Sequence, residues 1–132
     1  MAYGEICVLD FTQKCTTDLT AAIYTPLVQS ADETVAAATA GAKCVGFLQN
    51  KPNGSGSGDK GDGVEASVRA LGITRAVASA AIAAGASVAA AGSNQVATAG
   101  SGDFPLGKAL NAAAGAGEVV SVVINLADVP LP

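Results

Sequence analysis

Ala38-Thr39-Ala40-Gly41 returns as Ala97-Thr98-Ala99-Gly100, and the residues after the two copies run in the same order. Val45-Gly46-Phe47-Leu48-Gln49-Asn50 comes after the first, and Leu106-Gly107-Lys108-Ala109-Leu110-Asn111 after the second. Each then crosses a Gly-rich connection into an apolar run. These runs are Gly63-Val64-Glu65-Ala66-Ser67-Val68 and Gly117-Glu118-Val119-Val120-Ser121-Val122. Two copies are too few for a solenoid, which needs about three repeats to bury a continuous core. They predict a compact all-β barrel or sandwich assembled from two similar hairpin units.

The period of the apolar residues supports strands. Val64, Ala66, Val68 and Ala70 alternate with Glu65, Ser67 and Arg69, the two-residue rhythm of a half-buried strand. Past Leu71-Gly72-Ile73 the apolar positions change parity, which predicts a bulge near Gly72. Residues 119–124 are β-branched apart from Ser121, as in a strand buried on both faces. Ile6-Cys7-Val8-Leu9-Asp10-Phe11 predicts another strand. Residues 76–91 carry a competing helical signal, because Ala is the best helix former. Gly85 and Gly92, with β-branched Val77 and Val88, favour turns and strands there instead.

Around this repeat the chain divides into an N-terminal arm (residues 1–30), a β-rich domain (31–126) and an extended tail (127–132). The prolines of the tail, Pro130 and Pro132, oppose regular ladder pairing. Residues 50–63 hold Lys51-Pro52-Asn53-Gly54-Ser55-Gly56-Ser57-Gly58, a composition that predicts an exposed loop with nothing to anchor a core. The second unit replaces it with the short Ala112-Ala113-Ala114-Gly115-Ala116.

Composition argues against chemistry. The 132 residues include 7 Lys+Arg, 11 Asp+Glu and no His, for a net charge of -4. Seven scattered cations do not build the basic face of a nucleic-acid-binding domain. The missing histidine removes the commonest general base and the commonest neutral metal ligand. No catalytic residue, cofactor or metal is therefore expected. Cys7, Cys15 and Cys44 are an odd number with no close pair, which reads as small apolar residues in a reducing compartment. The start of the chain lacks a secretory leader, and the uncharged segment 76–93 is too poor in large apolar residues to insert in a bilayer.

The short motifs fail on context. Gly56, Gly58 and Gly61 match the spacing of a dinucleotide fingerprint, but they precede a strand where the pyrophosphate needs a helix N-terminus. Gly85-Ala86-Ser87-Val88-Ala89 lacks the second glycine of a nucleophile elbow and any histidine to activate the serine. Asp59 and Asp62 supply too few oxygens for a calcium loop.

The order of weak motifs carries a resemblance. Thr39-Ala40-Gly41-Ala42-Lys43-Cys44-Val45-Gly46-Phe47-Leu48-Gln49-Asn50-Lys51-Pro52 leads to a strand ending Leu71-Gly72-Ile73-Thr74-Arg75-Ala76-Val77-Ala78. Then come Ile82-Ala83-Ala84-Gly85-Ala86-Ser87-Val88, Phe104-Pro105-Leu106-Gly107-Lys108-Ala109-Leu110 and Gly117-Glu118-Val119-Val120-Ser121-Val122. This succession, over residues 35–126, resembles the small β-rich capsid decoration (cement) proteins of tailed bacteriophages. The resemblance implies a small β-barrel or β-tulip domain on the capsid exterior, made in the host cytoplasm. It implies a trimer bridging neighbouring major capsid proteins. The runner-up is a particle-displayed module that recognises a host surface or glycan. An enzyme ranks third, with a site assembled between subunits.

Within that frame the N-terminal arm is the expected tether. It lies outside the repeat and carries Tyr3, Ile6, Val8, Leu9, Phe11 and Ile23. An extended segment with alternating apolar residues can add a strand to a neighbour's edge. The alternative is that the same segment is the first strand of its own barrel.

Overall fold

The computed structural model describes residues 5–55 and 64–132. Among them every regular element is a strand, and the fold is all-β. In chain order these are β1 (Ile6–Cys15), β2 (Pro26–Ala31), β3 (Thr34–Ala37), β4 (Gly46–Leu48) and β5 (Val64–Val77). After them come β6 (Ser87–Gly92), β7 (Gln95–Thr98), β8 (Gly107–Ala109) and β9 (Val119–Ile124). One sheet joins them in the order β1-β3-β2-β4-β5-β9-β8-β6-β7, and β1 also pairs with β5.

That extra pairing closes a ring of five strands, β1-β3-β2-β4-β5. Its narrowest seam is the parallel contact Lys14↔Thr34, reinforced by Lys14 N–H donating to the Glu33 carbonyl at 2.9 Å. The second half of β5 continues through β9, β8, β6 and β7, and a parallel bridge Ala78↔Val96 brings β7 back to the end of β5. The molecule is therefore two rings that share one long strand.

The two rings are copies at the level of hydrogen-bond register. Leu27↔Ala37, Val28↔Ala36, Gln29↔Val35 and Ala31↔Thr34 in the first correspond to Val88↔Thr98, Ala89↔Ala97, Ala90↔Val96 and Gly92↔Gln95 in the second. The irregularity before the turn falls at the same place in both. Pro26↔Phe47 and Leu27↔Gly46 recur as Ser87↔Lys108 and Val88↔Gly107. Phe11↔Val68 and Lys14↔Glu65 recur as Thr74↔Val122 and Val77↔Val119. This fixes Gly41 opposite Gly102, not Gly100. The repeated Ala-Thr-Ala-Gly is thus a coincidence slightly out of register, whereas the Gly46/Gly107 and Ser67/Ser121 alignments hold.

Gly46 and Gly107 show why the repeat is visible at all. A Cβ on Gly46 would lie 2.5 Å from the Arg69 carbonyl oxygen, and one on Gly107 would collide with that of Val123. At both places the neighbouring strand approaches too closely for any side chain.

The cores repeat too. Cys15, Leu19, Leu27, Val35, Leu48, Ala66 and Val68 fill the first ring. Their counterparts Ala78, Ile82, Val88, Val96, Ala109, Val120 and Val122 fill the second. The second set is smaller at several positions, and Phe47 of β4 packs into it from outside the first ring. Phe47 lies opposite Arg69 on β5 yet clusters with Ala76, so the strand exchanges faces between these points. The cause is a bulge: Asp10↔Arg69 is followed by Leu9↔Leu71, leaving Ala70 unpaired, next to Gly72 at φ +116°. The predicted bulge near Gly72 is present, but the enclosed positions do not change parity across it: Ala66 and Val68 before it and Thr74 and Ala76 after it are all buried.

Three expectations are corrected. The segment 6–15 is not an arm without an internal partner; it is β1, paired with β5 along its length, and its structural counterpart is the second half of β5. β9 is not fully buried on both faces: Val120 and Val122 are fully enclosed, while on the other face Ser121 is buried but Val119 and Val123 remain 40% and 38% exposed. The start of the 50–63 loop is anchored. Pro52 accepts from Leu19 N–H, Gly54 N–H donates to the Thr17 carbonyl, and Asn53 bridges Asp18. Residues 56–63 lie outside the described residues. Segment 76–91 adopts the expected strand-and-turn structure, ending β5 and entering β6.

Candidate functional site

Among the described residues no cluster of three or more His, Cys, Asp or Glu is placed to hold a metal. No helix there is long and apolar enough to cross a membrane. The notable feature of the surface is a sheet face made by β1, β5, β9 and β8 outside the second ring. Ile6 pairs with Ile73, Ile73 with Val123 and Val123 with Lys108, so these four side chains stand in one row across the strands. Arg75 beside Ser121 and Val77 beside Val119 form the next rows. Leu110, whose N–H donates to the Ser121 carbonyl at 2.8 Å, extends the face past β8 and is 51% exposed. Leu9 opposite Leu71 continues it toward the bulge, both of them exposed.

The first ring is an internal control for this face. Its equivalent positions hold Asp10 for Ile73, Thr12 for Arg75, Lys14 for Val77, Gln49 for Leu110 and Glu65 for Val119. The backbone is the same and the side chains at these five positions are polar, as is Arg69 in the place of Val123, while the counterpart of Lys108 is the buried Phe47. Folding of the unit therefore does not demand apolar residues there, and their presence on the second ring needs another reason. Contiguous exposed apolar surface of this kind marks contact with a partner.

The face also carries charge. Arg75 and Lys108 project from it, and the ion pairs among the described residues, Arg69–Asp10 and Lys43–Asp128, use neither. Arg75 Nε and Ser121 Oγ are shielded from water with no hydrogen-bond partner. The Glu118 carboxylate accepts a hydrogen bond from the Ala114 N–H.

At the bulge, Arg69 ties the strands together. Its Nε and Nη2 donate to the two Asp10 carboxylate oxygens at 2.9 and 3.2 Å, and Nη1 donates to the Ile73 carbonyl at 3.1 Å. This fork holds the Asp10 carboxyl below its ordinary acidity range and raises Arg69. Cys15 and Cys44 are buried and Cys7 is exposed, all three unpaired. Burial pushes the Cys44 thiol up to about 12.

Of the residues predicted as contacts, Ile6, Val8 and Leu9 are exposed at one end of β1. Phe11 is half-buried against the first core, Ile23 is half-buried before β2, and Tyr3 lies outside the described residues. Sequence reasoning misses Leu71, Leu110, Val119 and Val123 as surface residues. Their one signal in the sequence is a departure from the polar character of the first unit.

No protein-family description and no curated protein matches the chain. Among solved structures, the head fiber gp8.5 N base of bacteriophage phi29 is similar, with a TM-score of 0.68 at 15% sequence identity. The match covers 92% of this chain and 97% of that one. The two chains share a fold. Near-complete coverage on both sides means that the likeness takes in both rings, the shared strand included.

Proposed function

We propose that this chain is a structural protein of a bacteriophage virion, mounted on the outside of the head, where it bridges neighbouring major capsid proteins. The carrying observation is the two-sided fold match to a phage head fiber base. The resemblance of the motif order to capsid decoration proteins points the same way. The apolar outer face of the second ring supports it, because a protein repeated over a shell works by surface complementarity and needs no reactive group. The role is non-catalytic and cofactor-free, in keeping with a chain that has no histidine. A trimer around a three-fold or quasi-three-fold position fits this role.

The test is cryo-electron microscopy and quantitative mass spectrometry of purified particles of the phage that encodes the chain. Regular density for the two-ring domain outside the coat lattice, at a fixed copy number, supports the reading. Its absence from purified particles refutes it.

A further inference from the structure

We propose that the outer face of the second ring docks onto an apolar protein surface that presents a carboxylate, and that this carboxylate pairs with Arg75. The proposal rests on the virion-assembly reading and adds which face of the molecule is used and what the coat surface must offer.

The duplicated backbone isolates the relevant side chains. Where the first ring has Thr12 opposite Ser67, the second has Arg75 opposite Ser121. Around that pair Lys14, Glu65 and Gln49 give way to Val77, Val119 and Leu110. The exchange brings in apolar surface and, at its centre, a cation with unused donors. Covering such a face with a purely apolar partner would bury Arg75 unpaired, which is strongly unfavourable. A partner that seats there must supply an anion.

Charge also decides against a symmetric pair of copies. Two such faces meeting about a two-fold axis would bring Arg75 and Lys108 of both copies into one interface, and like charges across an interface are disfavoured. The chain as a whole is acidic, with a net charge of -4 that already counts Arg75 and Lys108. The basic centre on an otherwise acidic molecule therefore orients it toward an acidic partner surface, with this face inward.

The experiment uses the full chain and particles of the encoding phage assembled without it, in a binding titration at two salt concentrations. Arg75→Gln and Val123→Ser are each expected to weaken binding by about tenfold or more, with Arg75→Lys restoring part of the loss. Arg75→Gln should also flatten the salt dependence. Thermal melts check that each variant folds, and Lys108→Gln, at an exposed site, gives a second reading of the charge requirement. Wild-type binding that both Arg75→Gln and Val123→Ser leave unchanged overturns this docking face and leaves the assembly reading standing. Failure of the wild type to bind overturns both. Variants that change the sedimentation of the isolated chain but not its binding to particles assign the face to a second copy, which also overturns the proposal.

Discussion

Asn50 and Asn111 clamp two different strands with the same pair of hydrogen bonds. Asn50 Oδ1 accepts from Ser67 N–H at 2.9 Å and its Nδ2 donates to the Glu65 carbonyl at 3.1 Å. Asn111 Oδ1 accepts from Ser121 N–H at 2.7 Å and its Nδ2 donates to the Val119 carbonyl at 3.5 Å. In each ring the chain leaves a short strand, and the asparagine amide takes the place of the next ladder rung. Only an amide offers a donor and an acceptor at this reach.

Replacing either asparagine by Ala is expected to destabilise the protein by about 1 kcal/mol, with Asn50→Ala costing at least as much because both of its bonds are short. Asp at either site should be worse than Asn, since it cannot donate to the strand carbonyl. Urea unfolding followed by circular dichroism measures both.

The paired glycines give a sharper contrast. Gly46→Ala and Gly107→Ala should each cost about 2 kcal/mol or more, because the new methyl meets a carbonyl of the adjoining strand. Gly85, at φ +83° with open space around it, should lose only about 1–2 kcal/mol on change to Ala, the cost of a left-handed backbone alone. Gly115, open and without positive φ, is the neutral control. Melting temperatures in that order support close strand approach as the reason for the repeat's glycines.

These residues explain what is legible in the sequence. Gly46, Gly107, Asn50 and Asn111 do jobs that few residue types can do, so the two rings kept them and the duplication shows. The pairing of β1 with β5 left no such mark. Its counterpart in the second ring matches Phe11 with Thr74, Thr12 with Arg75 and Lys14 with Val77, since backbone hydrogen bonds accept any side chain. A search for identical residues therefore places segment 6–15 outside the repeat. The outward valines of β9 are hidden for a different reason. A β-branched run looks the same whether its second face meets a core or a solvent-facing partner site.

The Asp10–Arg69 fork makes a pH prediction. The native carboxyl titrates below its ordinary value of 3.8, so its contribution is present above that pH and disappears as the pH falls through the lowered native value. Asp10→Asn should cost about 1–3 kcal/mol near neutrality, because Arg69 loses a charged partner at a largely enclosed site. The gap between wild type and variant should close below pH 3.8. Denaturant midpoints measured from pH 7 to pH 2 provide the check.

Thiol labelling separates the three cysteines. Cys7 is exposed, whereas Cys15 and Cys44 are enclosed in the two cores and burial raises both thiols. Iodoacetamide at pH 8 should modify Cys7 rapidly and leave the other two intact until denaturant is added. Peptide mass spectrometry after timed quenching reads this directly. Early labelling of Cys44 would contradict a closed second core.

The N-terminal segment decides between a tether and a strand. Deleting residues 2–12 removes most of β1, including Phe11, which packs on the first core, and Asp10, which holds Arg69. Val68, fully buried, would lose Phe11, its partner on β1. Truncating a fully buried Phe costs about 3–5 kcal/mol, and half-buried Phe11 accounts for a share of that. Added to the missing rungs of the ladder and an uncompensated Arg69, this approaches the whole stability of a small domain, about 5–15 kcal/mol. The truncated chain is therefore expected to lose its cooperative melt and become protease-sensitive throughout. The exposed side chains of Ile6, Val8 and Leu9 can be tested for contact separately, because Ile6→Ser and Val8→Ser leave the strand's backbone in place. A truncated chain that keeps its full melting transition and loses only particle binding would make the segment a tether after all.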